Sequence, residues 1–348
     1  CIYLCLTLYI SCQTAVPRSS CSLTLGSRIP KESLFIKWTS WSTTENLTDK
    51  PVVFVCPSMS HSPYVKHVPE LDETGWWDHI VQSGSDKGID LNQFNVLCAS
   101  PIGSPYGSTS PLTNNHETGQ PWGADFPVIT PEDMANAHAK LLDNLGIDAV
   151  DTVVGASMGG MQALQFAVRY PERFKKCIAI ATTPATSPSA VAIRTNQRSA
   201  IINDTDFHGG DYYKLRDCAG PVQGMMLARK MGIIAYRSRV EFDNRFDWRY
   251  AVDDDSFEVQ AYLDAQARKF VDGSSSFDPN CYLVLSKVSG CCRGLAVPGV
   301  LLESVGAVGR TVLRVQLAQT IACCGPCVVG ASHADHAAAA AAHCRQWI

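Results

Sequence analysis

Short apolar runs alternate with amphipathic segments along the middle of the chain. The runs are continuous and rich in aliphatic and β-branched residues, which is typical of strands buried on both faces of a sheet. The segments between them repeat apolar residues at helical spacing. The predicted strands are 52–55, 94–99, 152–154 and 177–181, and the predicted helices are 131–145 and 161–169. This alternation predicts an α/β protein whose sheet is mostly parallel and flanked by helices.

The helix predicted at 131–145 has both a start signal and a stop signal. Pro131 stands at the first helical position, where a missing N–H leaves no hydrogen bond unmade. Gly146 ends the apolar pattern. The predicted buried face consists of Met134, Ala137, Leu141, Leu142 and Leu145.

Changes of composition divide the chain into four parts. Residues 1–30 are untypical or disordered, and their apolar start is either the end of a signal peptide or untranslated sequence. Residues 31–189 are predicted to form the α/β core, and 190–280 a helical cap inserted over the carboxyl edge of the sheet. Residues 281–348 are predicted to be a degenerate or incomplete part of the core.

The part that follows Lys287 differs from the rest in composition. Its only aromatic residue is Trp347, and residues 337–342 are all alanine. Such a change indicates either a low-complexity tail or sequence from a wrong reading frame or an intron.

Composition and charge exclude several classes of function. The chain is 46% hydrophobic and 18% charged, with a net charge of -4, so nothing favours nucleic acid or an anionic membrane as a partner. No apolar stretch reaches the ~18 residues of a membrane span. Five of the 15 cysteines lie in the long middle of the chain, without ligand-like pairing. We therefore expect a reducing compartment, the cytoplasm, and buried core thiols rather than disulfides.

A Gly-x-Ser-x-Gly motif follows the strand predicted at 152–154. In Gly155-Ala156-Ser157-Met158-Gly159, small residues flank the serine, as a sharp strand-to-helix turn requires. This context indicates a nucleophile elbow of the α/β-hydrolase fold, with Ser157 as the nucleophile and the Met158 N–H as an oxyanion donor. The bare pattern also arises by chance, and the flanking strand and helix argue against coincidence.

The second oxyanion donor is expected in the loop after the strand at 52–55. The loop reads Cys56-Pro57-Ser58-Met59-Ser60-His61, and the Met59 N–H is the candidate donor. The alternative is an ordinary strand-to-helix turn.

Six stretches together resemble the homoserine O-acetyltransferase family. They are GWWD at 75–78, GSPYGSTSP at 103–111, TGQPWGADFP at 118–127, GASMGGMQAL at 155–164, FEVQAYL at 257–263 and NCYL at 280–283. The resemblance covers about three quarters of the chain, 35–286. It implies an α/β-hydrolase fold with a helical cap, and a role in methionine or cysteine biosynthesis.

The resemblance also implies the reaction. Ser157 would take an acetyl or succinyl group from acetyl-CoA or succinyl-CoA and pass it to the hydroxyl of L-homoserine or L-serine. The CoA thioester is a substrate, and no bound cofactor or metal is expected. The partners are small molecules, with a homodimer through the cap helices. Arg229 and Tyr236 match an arginine and a tyrosine that line the family's active-site tunnel, where Arg229 would bind a carboxylate. The alternative for Arg229 is a solvated basic helix face.

The loop at 57–61 departs from the family's usual pattern. Homoserine enzymes carry a His-Ala-Leu-Thr type of loop, whereas this chain has Pro57-Ser58-Met59-Ser60-His61. Together with 99–105, this form is more similar to the branch that acylates serine. The two acceptors differ by one methylene, which a pocket discriminates by only about 1–3 kcal/mol.

The acid and the histidine of the triad should follow Ser157 in the chain. Asp335 is the candidate acid, and no Gly-His-Asp segment is present. His333 and His336 lie close to three cysteines, Cys323, Cys324 and Cys327, but the spacings fit no standard zinc pattern. If the chain is complete, Ser157 lacks a general base. The alternatives to an acyltransferase are therefore a catalytically impaired remnant that lacks the triad histidine, or a plain serine esterase of the same fold.

Overall fold

The computed structural model describes residues 2–9, 34–69, 74–84, 88–251, 256–272, 276–288 and 311–315. It divides into two compact units. Among the described residues, the first unit comprises those within 1–185 and 287–316, and the second comprises those within 186–286.

A seven-stranded sheet forms the centre of the first unit, as far as the described residues show. Its strands are β1 (Ile2–Tyr9), β2 (Phe35–Ser42), β3 (Val52–Cys56), β6 (Asn95–Ala99), β7 (Val150–Ala156), β8 (Phe174–Ile180) and β9 (Thr311–Val315), and a separate pair is formed by β4 (Val81–Gln82) and β5 (Ile89–Asp90). The order across the sheet is β1-β2-β6-β3-β7-β8-β9. Along this order, the five strands β6, β3, β7, β8 and β9 are parallel to one another. The pairs β1–β2 and β2–β6 are antiparallel. The predicted α/β fold with a mostly parallel sheet is confirmed.

Two of the predicted strands are buried along their whole length. Every residue of β3 and β6 is buried, as expected for strands covered on both faces. The thiols of Cys56, Cys98 and Cys177 lie in this interior, and burial raises the pKa of each above its ordinary value, to about 12 for Cys177. They therefore stay protonated and behave as small apolar side chains.

Helix α1 (Pro131–Asn144) begins and ends where the sequence predicts. Thr130 caps its N-terminus in a reciprocal capping box with Asp133. Gly146 follows the helix with φ 69°, a conformation that favours glycine. The predicted apolar face is confirmed, with Met134, Ala137, Leu141 and Leu142 fully buried and Leu145 half-buried.

The second unit is helical in its described residues. Its helices are α3 (Pro188–Ile202), α4 (Val222–Tyr236), α5 (Arg239–Phe246), α6 (Glu258–Val271) and α7 (Pro279–Val288), and α2 (Met158–Arg169) belongs to the first unit. A close approach joins α3 to α4, because a Cβ at Gly224 would lie 2.5 Å from the Ala200 carbonyl oxygen. The Asp278 carboxylate accepts hydrogen bonds from Tyr212 at 2.6 Å and from Tyr213 at 2.7 Å, which ties the start of α7 to an earlier loop.

His138 gives the first unit a pH-dependent stability. Its ring is buried on α1 and packs edge-on against Phe54, with ring centroids 5.0 Å apart. Burial lowers the pKa of His138 from 6.5 to about 3. Between these pH values the unfolded chain therefore binds up to one more proton at His138 than the folded chain does. The contribution of His138 to the free energy of unfolding is fully present above pH 6.5, and it falls by about 1.4 kcal/mol per pH unit as the pH drops towards 3.

The substitution His138→Leu should remove this contribution. We expect the free energy of unfolding of the variant to decline less steeply than that of the wild type as the pH falls from 6.5 towards 4. Urea unfolding at several pH values measures the two slopes. Equal slopes would show that His138 takes up no proton on unfolding.

Candidate active site

Ser157 occupies the sharp turn between β7 and α2. Its φ of 54° and ψ of -121° form a left-handed conformation, which costs about 1–3 kcal/mol for a residue with a side chain. Two hydrogen bonds tie the turn to the segment 180–182: the Ser157 N–H donates to the Ile180 carbonyl at 3.0 Å, and the Thr182 hydroxyl donates to the Ser157 carbonyl at 2.7 Å. The side chain is exposed. The serine hydroxyl is thus presented at the carboxyl edge of the sheet.

Glycines are required on both sides of Ser157. A Cβ at Gly155 would lie 2.2 Å from the Gly159 carbonyl oxygen, and a Cβ at Gly159 would lie 2.0 Å from the Cys56 carbonyl oxygen. Both contacts are with backbone carbonyl oxygens, so a side chain at either position would force the backbone to move. The strand–turn–helix context that gives the Gly-x-Ser-x-Gly motif its meaning is present.

The elements on either side of the turn are longer than the sequence predicts. β7 reaches Ala156 and α2 begins at Met158, whereas the predicted strand ended at 154 and the predicted helix began at 161. The sequence pattern missed these residues because the glycines carry no apolar side chain to continue the periodicity. Ser157 therefore separates the strand and the helix by a single residue.

The two candidate oxyanion donors stand on adjacent elements. Met158 is the first residue of α2, so its N–H has no acceptor within the helix. β3 pairs in parallel with β7, and Cys56 lies opposite Gly155, so the loop with Met59 leaves the sheet beside the serine turn. Among the described residues the Met59 N–H has no hydrogen-bond acceptor. The roles of Met59 and Met158 stay predictions.

The expected acid and base are not placed. Asp335, His333, His336 and His343 lie outside the described residues. Between residues 158 and 288 the sequence contains one histidine, His208. Ahead of the nucleophile, the buried His138 is a core residue, and His61 stacks on Trp76 with ring centroids 4.5 Å apart.

Arg229 and Tyr236 lie on α4, two turns apart. The Arg229 guanidinium lies over the Phe270 ring at 4.8 Å. Its basic neighbours all have acidic partners, Lys230 with Asp264, Arg237 with Glu241 and Arg239 with Asp243. No carboxylate among the described residues forms an ion pair with Arg229, which distinguishes it from these neighbours. Its role in binding substrate stays a prediction.

An arginine that the sequence did not indicate contacts Tyr236. Arg194 of α3 lies over the Tyr236 ring at 5.4 Å and makes polar contacts with the phenol groups of Tyr236 and Tyr282. Burial raises the pKa of Tyr282 to about 12, although the nearby guanidiniums of Arg194 and Arg229 lower it. Tyr282 therefore carries its proton at neutral pH. No local pattern points to Arg194, because its partners lie on other helices.

Metal and membrane signals are lacking in the described part of the chain. No group of three or more His, Cys, Asp or Glu side chains there could hold a metal ion. None of the helices within these ranges is both long and apolar enough to cross a membrane.

A family model described as the alpha/beta hydrolase fold matches residues 51–285. This match covers more than half of the chain. The chain belongs to the alpha/beta hydrolase fold family.

Within that family, the chain is similar to homoserine acyltransferases. It is 39% identical over 251 residues to a homoserine O-succinyltransferase from Ralstonia nicotianae, covering 70% of this chain and 60% of that protein. It is 41% identical over 230 residues to a homoserine O-acetyltransferase from Carboxydothermus hydrogenoformans, covering 64% of this chain and 59% of that protein. The chain thus spans about 60% of the length of the curated relatives that it matches. These relatives confirm the predicted resemblance.

Solved structures show the same fold. A homoserine O-acetyltransferase from Bacillus anthracis superposes with a TM-score of 0.71 at 23% identity, covering 83% of this chain and 79% of that chain. The esterase E22 superposes with a TM-score of 0.66 at 21% identity, covering 83% of this chain and 89% of that chain.

The conformation of Ser157 predicts an unusual order of stability for two substitutions. At an ordinary position glycine is less stable than alanine by about 0.5–1 kcal/mol. Because Ser157 has φ 54°, Ser157→Gly relieves strain that Ser157→Ala retains, so we expect Ser157→Gly to be at least as stable as Ser157→Ala. Urea unfolding of both variants measures the difference.

Ser199 provides the matched control. It is exposed in the interior of α3, where Ser199→Gly should be less stable than Ser199→Ala by about 1 kcal/mol. The same order at Ser157 and Ser199 would contradict strain at the turn.

Proposed function

We propose that the chain is an amino-acid O-acyltransferase that works through an acyl group on Ser157. One observation carries the proposal: an exposed serine in a strained strand-to-helix turn, in a chain whose relatives are named homoserine O-succinyltransferase and homoserine O-acetyltransferase. The proposed donor is a CoA thioester, acetyl-CoA or succinyl-CoA.

In the first step the Ser157 oxygen attacks the thioester carbonyl carbon. The new O–C bond forms as the C–S bond breaks, and CoA leaves as the thiol with the proton that the serine gives up. Negative charge develops on the carbonyl oxygen in the transition state. The Met158 and Met59 N–H groups, together with the N-terminus of α2, would stabilise this charge.

In the second step the hydroxyl of the amino acid attacks the acyl-serine. Its oxygen takes the acyl group, and its proton returns to Ser157 through the general base. Both steps need a base, and a histidine oriented by an acid such as Asp335 would supply it. Acyl transfer exceeds hydrolysis only where water is kept from the acyl-enzyme.

L-homoserine is the acceptor that the relatives' names support, and L-serine is the acceptor that the loop at 57–61 favours. Both carry a carboxylate. Arg229, which has no acidic partner among the described residues, could bind that carboxylate as a two-pronged donor. Tyr236 would donate a hydrogen bond to the acyl oxygen.

Acylation of Ser157 is the first test. We expect the purified protein, in a form that includes the triad histidine, to gain the mass of one acetyl or one succinyl group when it is mixed with the matching CoA thioester alone. Ser157→Ala should gain none, because it lacks the attacking oxygen. Intact-protein mass spectrometry makes the measurement, and peptide mapping locates the group.

Release of CoA then identifies the acceptor. In the proposed enzyme, CoA release becomes catalytic when L-homoserine or L-serine is added, and the faster of the two is the substrate. Rapid hydrolysis of p-nitrophenyl acetate that no amino acid changes would instead show an esterase. Binding of the thioester without acylation of Ser157 would show a non-catalytic remnant and refute the proposal.

A further inference from the structure

The candidate oxyanion loop contains a hydrogen-bonded turn over 58–61. The His61 N–H donates to the Ser58 carbonyl oxygen at 3.3 Å, which closes a β-turn around Met59 and Ser60. The Ser58 carbonyl and the Met59 N–H belong to the same peptide unit. In a trans peptide these two groups point in opposite directions, so the bond to His61 also fixes the direction of the Met59 N–H.

The Ser58 side chain ties this turn to the serine turn. Its hydroxyl donates to the Ala156 carbonyl oxygen at 2.9 Å, and that carbonyl belongs to the peptide that joins Ala156 to Ser157. The backbone pairing of β3 with β7 ends one step earlier, at Cys56 and Gly155. The Ser58 hydroxyl therefore continues the contact between the two chain segments beyond the last pair of the sheet.

Tyr106 holds the turn from a second direction. Its hydroxyl donates to the Ser60 carbonyl oxygen at 3.0 Å. Tyr106 belongs to the loop after β6, and that loop is itself fixed. The Ser108 hydroxyl donates to the Ser100 carbonyl at 2.7 Å and accepts the Lys37 N–H of β2 at 3.0 Å. Tyr106 thus connects the turn to the sheet through a rigid anchor.

We infer that Ser58 and Tyr106 are positioning residues that hold the Met59 N–H in place beside Ser157 as the second oxyanion donor. The inference rests on the proposed function, because it assigns these residues to the same acyl-transfer site. Neither side chain needs to touch the substrate. Ser58 holds the turn that carries the donor to the serine turn, and Tyr106 holds it to the loop after β6.

Single substitutions test the inference through kinetics. Ser58→Ala removes the bond to Ala156, and Tyr106→Phe removes the bond to Ser60 but keeps the ring. A displacement of about 1 Å at a reacting group can cost about a hundredfold, so we expect each variant to slow the acylation of Ser157 roughly tenfold or more. KM for the acyl donor should stay within about twofold. Ser58→Thr, which restores a hydroxyl, should recover most of the rate.

Ser42→Ala is the matched control. It also removes a serine hydroxyl that donates a hydrogen bond, here to Asn95 at 2.5 Å, and Ser42 is buried whereas Ser58 is half-buried. Asn95 begins β6, at the opposite edge of the sheet from Ser157. This variant should leave the acylation rate unchanged. If Ser58→Ala and Tyr106→Phe acylate as fast as Ser42→Ala does, the two residues do not position the donor.

A second measurement is independent of activity. Hydrogen–deuterium exchange of a peptide that covers 57–62 should be faster in Ser58→Ala and Tyr106→Phe than in the wild type, and unchanged in Ser42→Ala. Unchanged exchange in the first two variants would overturn the inference even in an inactive chain.

Comparing two acylating reagents, p-nitrophenyl acetate and a CoA thioester, distinguishes failure of this inference from failure of the proposed function. If the wild type reacts with p-nitrophenyl acetate but transfers nothing from a CoA thioester, the proposed function fails. The Ser58 and Tyr106 effects on the p-nitrophenyl acetate reaction then still decide whether these residues position the donor.

Discussion

The contact between the start of α2 and the end of β3 determines the geometry of the serine turn. A Cβ at Gly159 would lie 2.0 Å from the Cys56 carbonyl oxygen, so the helix meets the neighbouring strand backbone to backbone. Because the start of α2 lies so close to the end of β3, no room is left for a gradual turn between β7 and α2. Ser157 alone reverses the chain direction, and it does so at φ 54°. The strain at the serine and the exposure of its hydroxyl both follow from this one close approach.

The sequence predicts the features whose causes are local. Gly155, Ser157 and Gly159 stand within five residues, so a turn that needs small flanking residues leaves a readable pattern. α1 is readable for the same reason, since Pro131 and Gly146 act on their own backbone. In both cases the residue type and the conformation it permits are neighbours along the chain, and the boundaries of α1 are correct almost to the residue.

Features that depend on distant partners could not be predicted. The Ser58 hydroxyl bonds to a carbonyl 98 residues away, and the Tyr106 hydroxyl to one 46 residues away. β2 escaped prediction for a related reason. It buries Thr39 and Ser42, and polar residues inside a strand break the apolar pattern. Their hydroxyls donate to distant partners, the Pro63 carbonyl for Thr39 and Asn95 for Ser42.

The two candidate oxyanion donors are fixed by different kinds of force. The Met158 N–H belongs to the first turn of α2, so it can move only if the helix unwinds or slides along the sheet. The Met59 N–H depends on the backbone hydrogen bond of one β-turn and on two side-chain hydrogen bonds, each of which contributes only about 0.5–1.5 kcal/mol. One half of the site is therefore rigid, and the other half can be adjusted by single substitutions without disturbing the fold. Because the loop at 57–61 is also where this chain departs from the pattern of homoserine enzymes, differences in acceptor or in the balance of transfer and hydrolysis are expected to arise on the Met59 side.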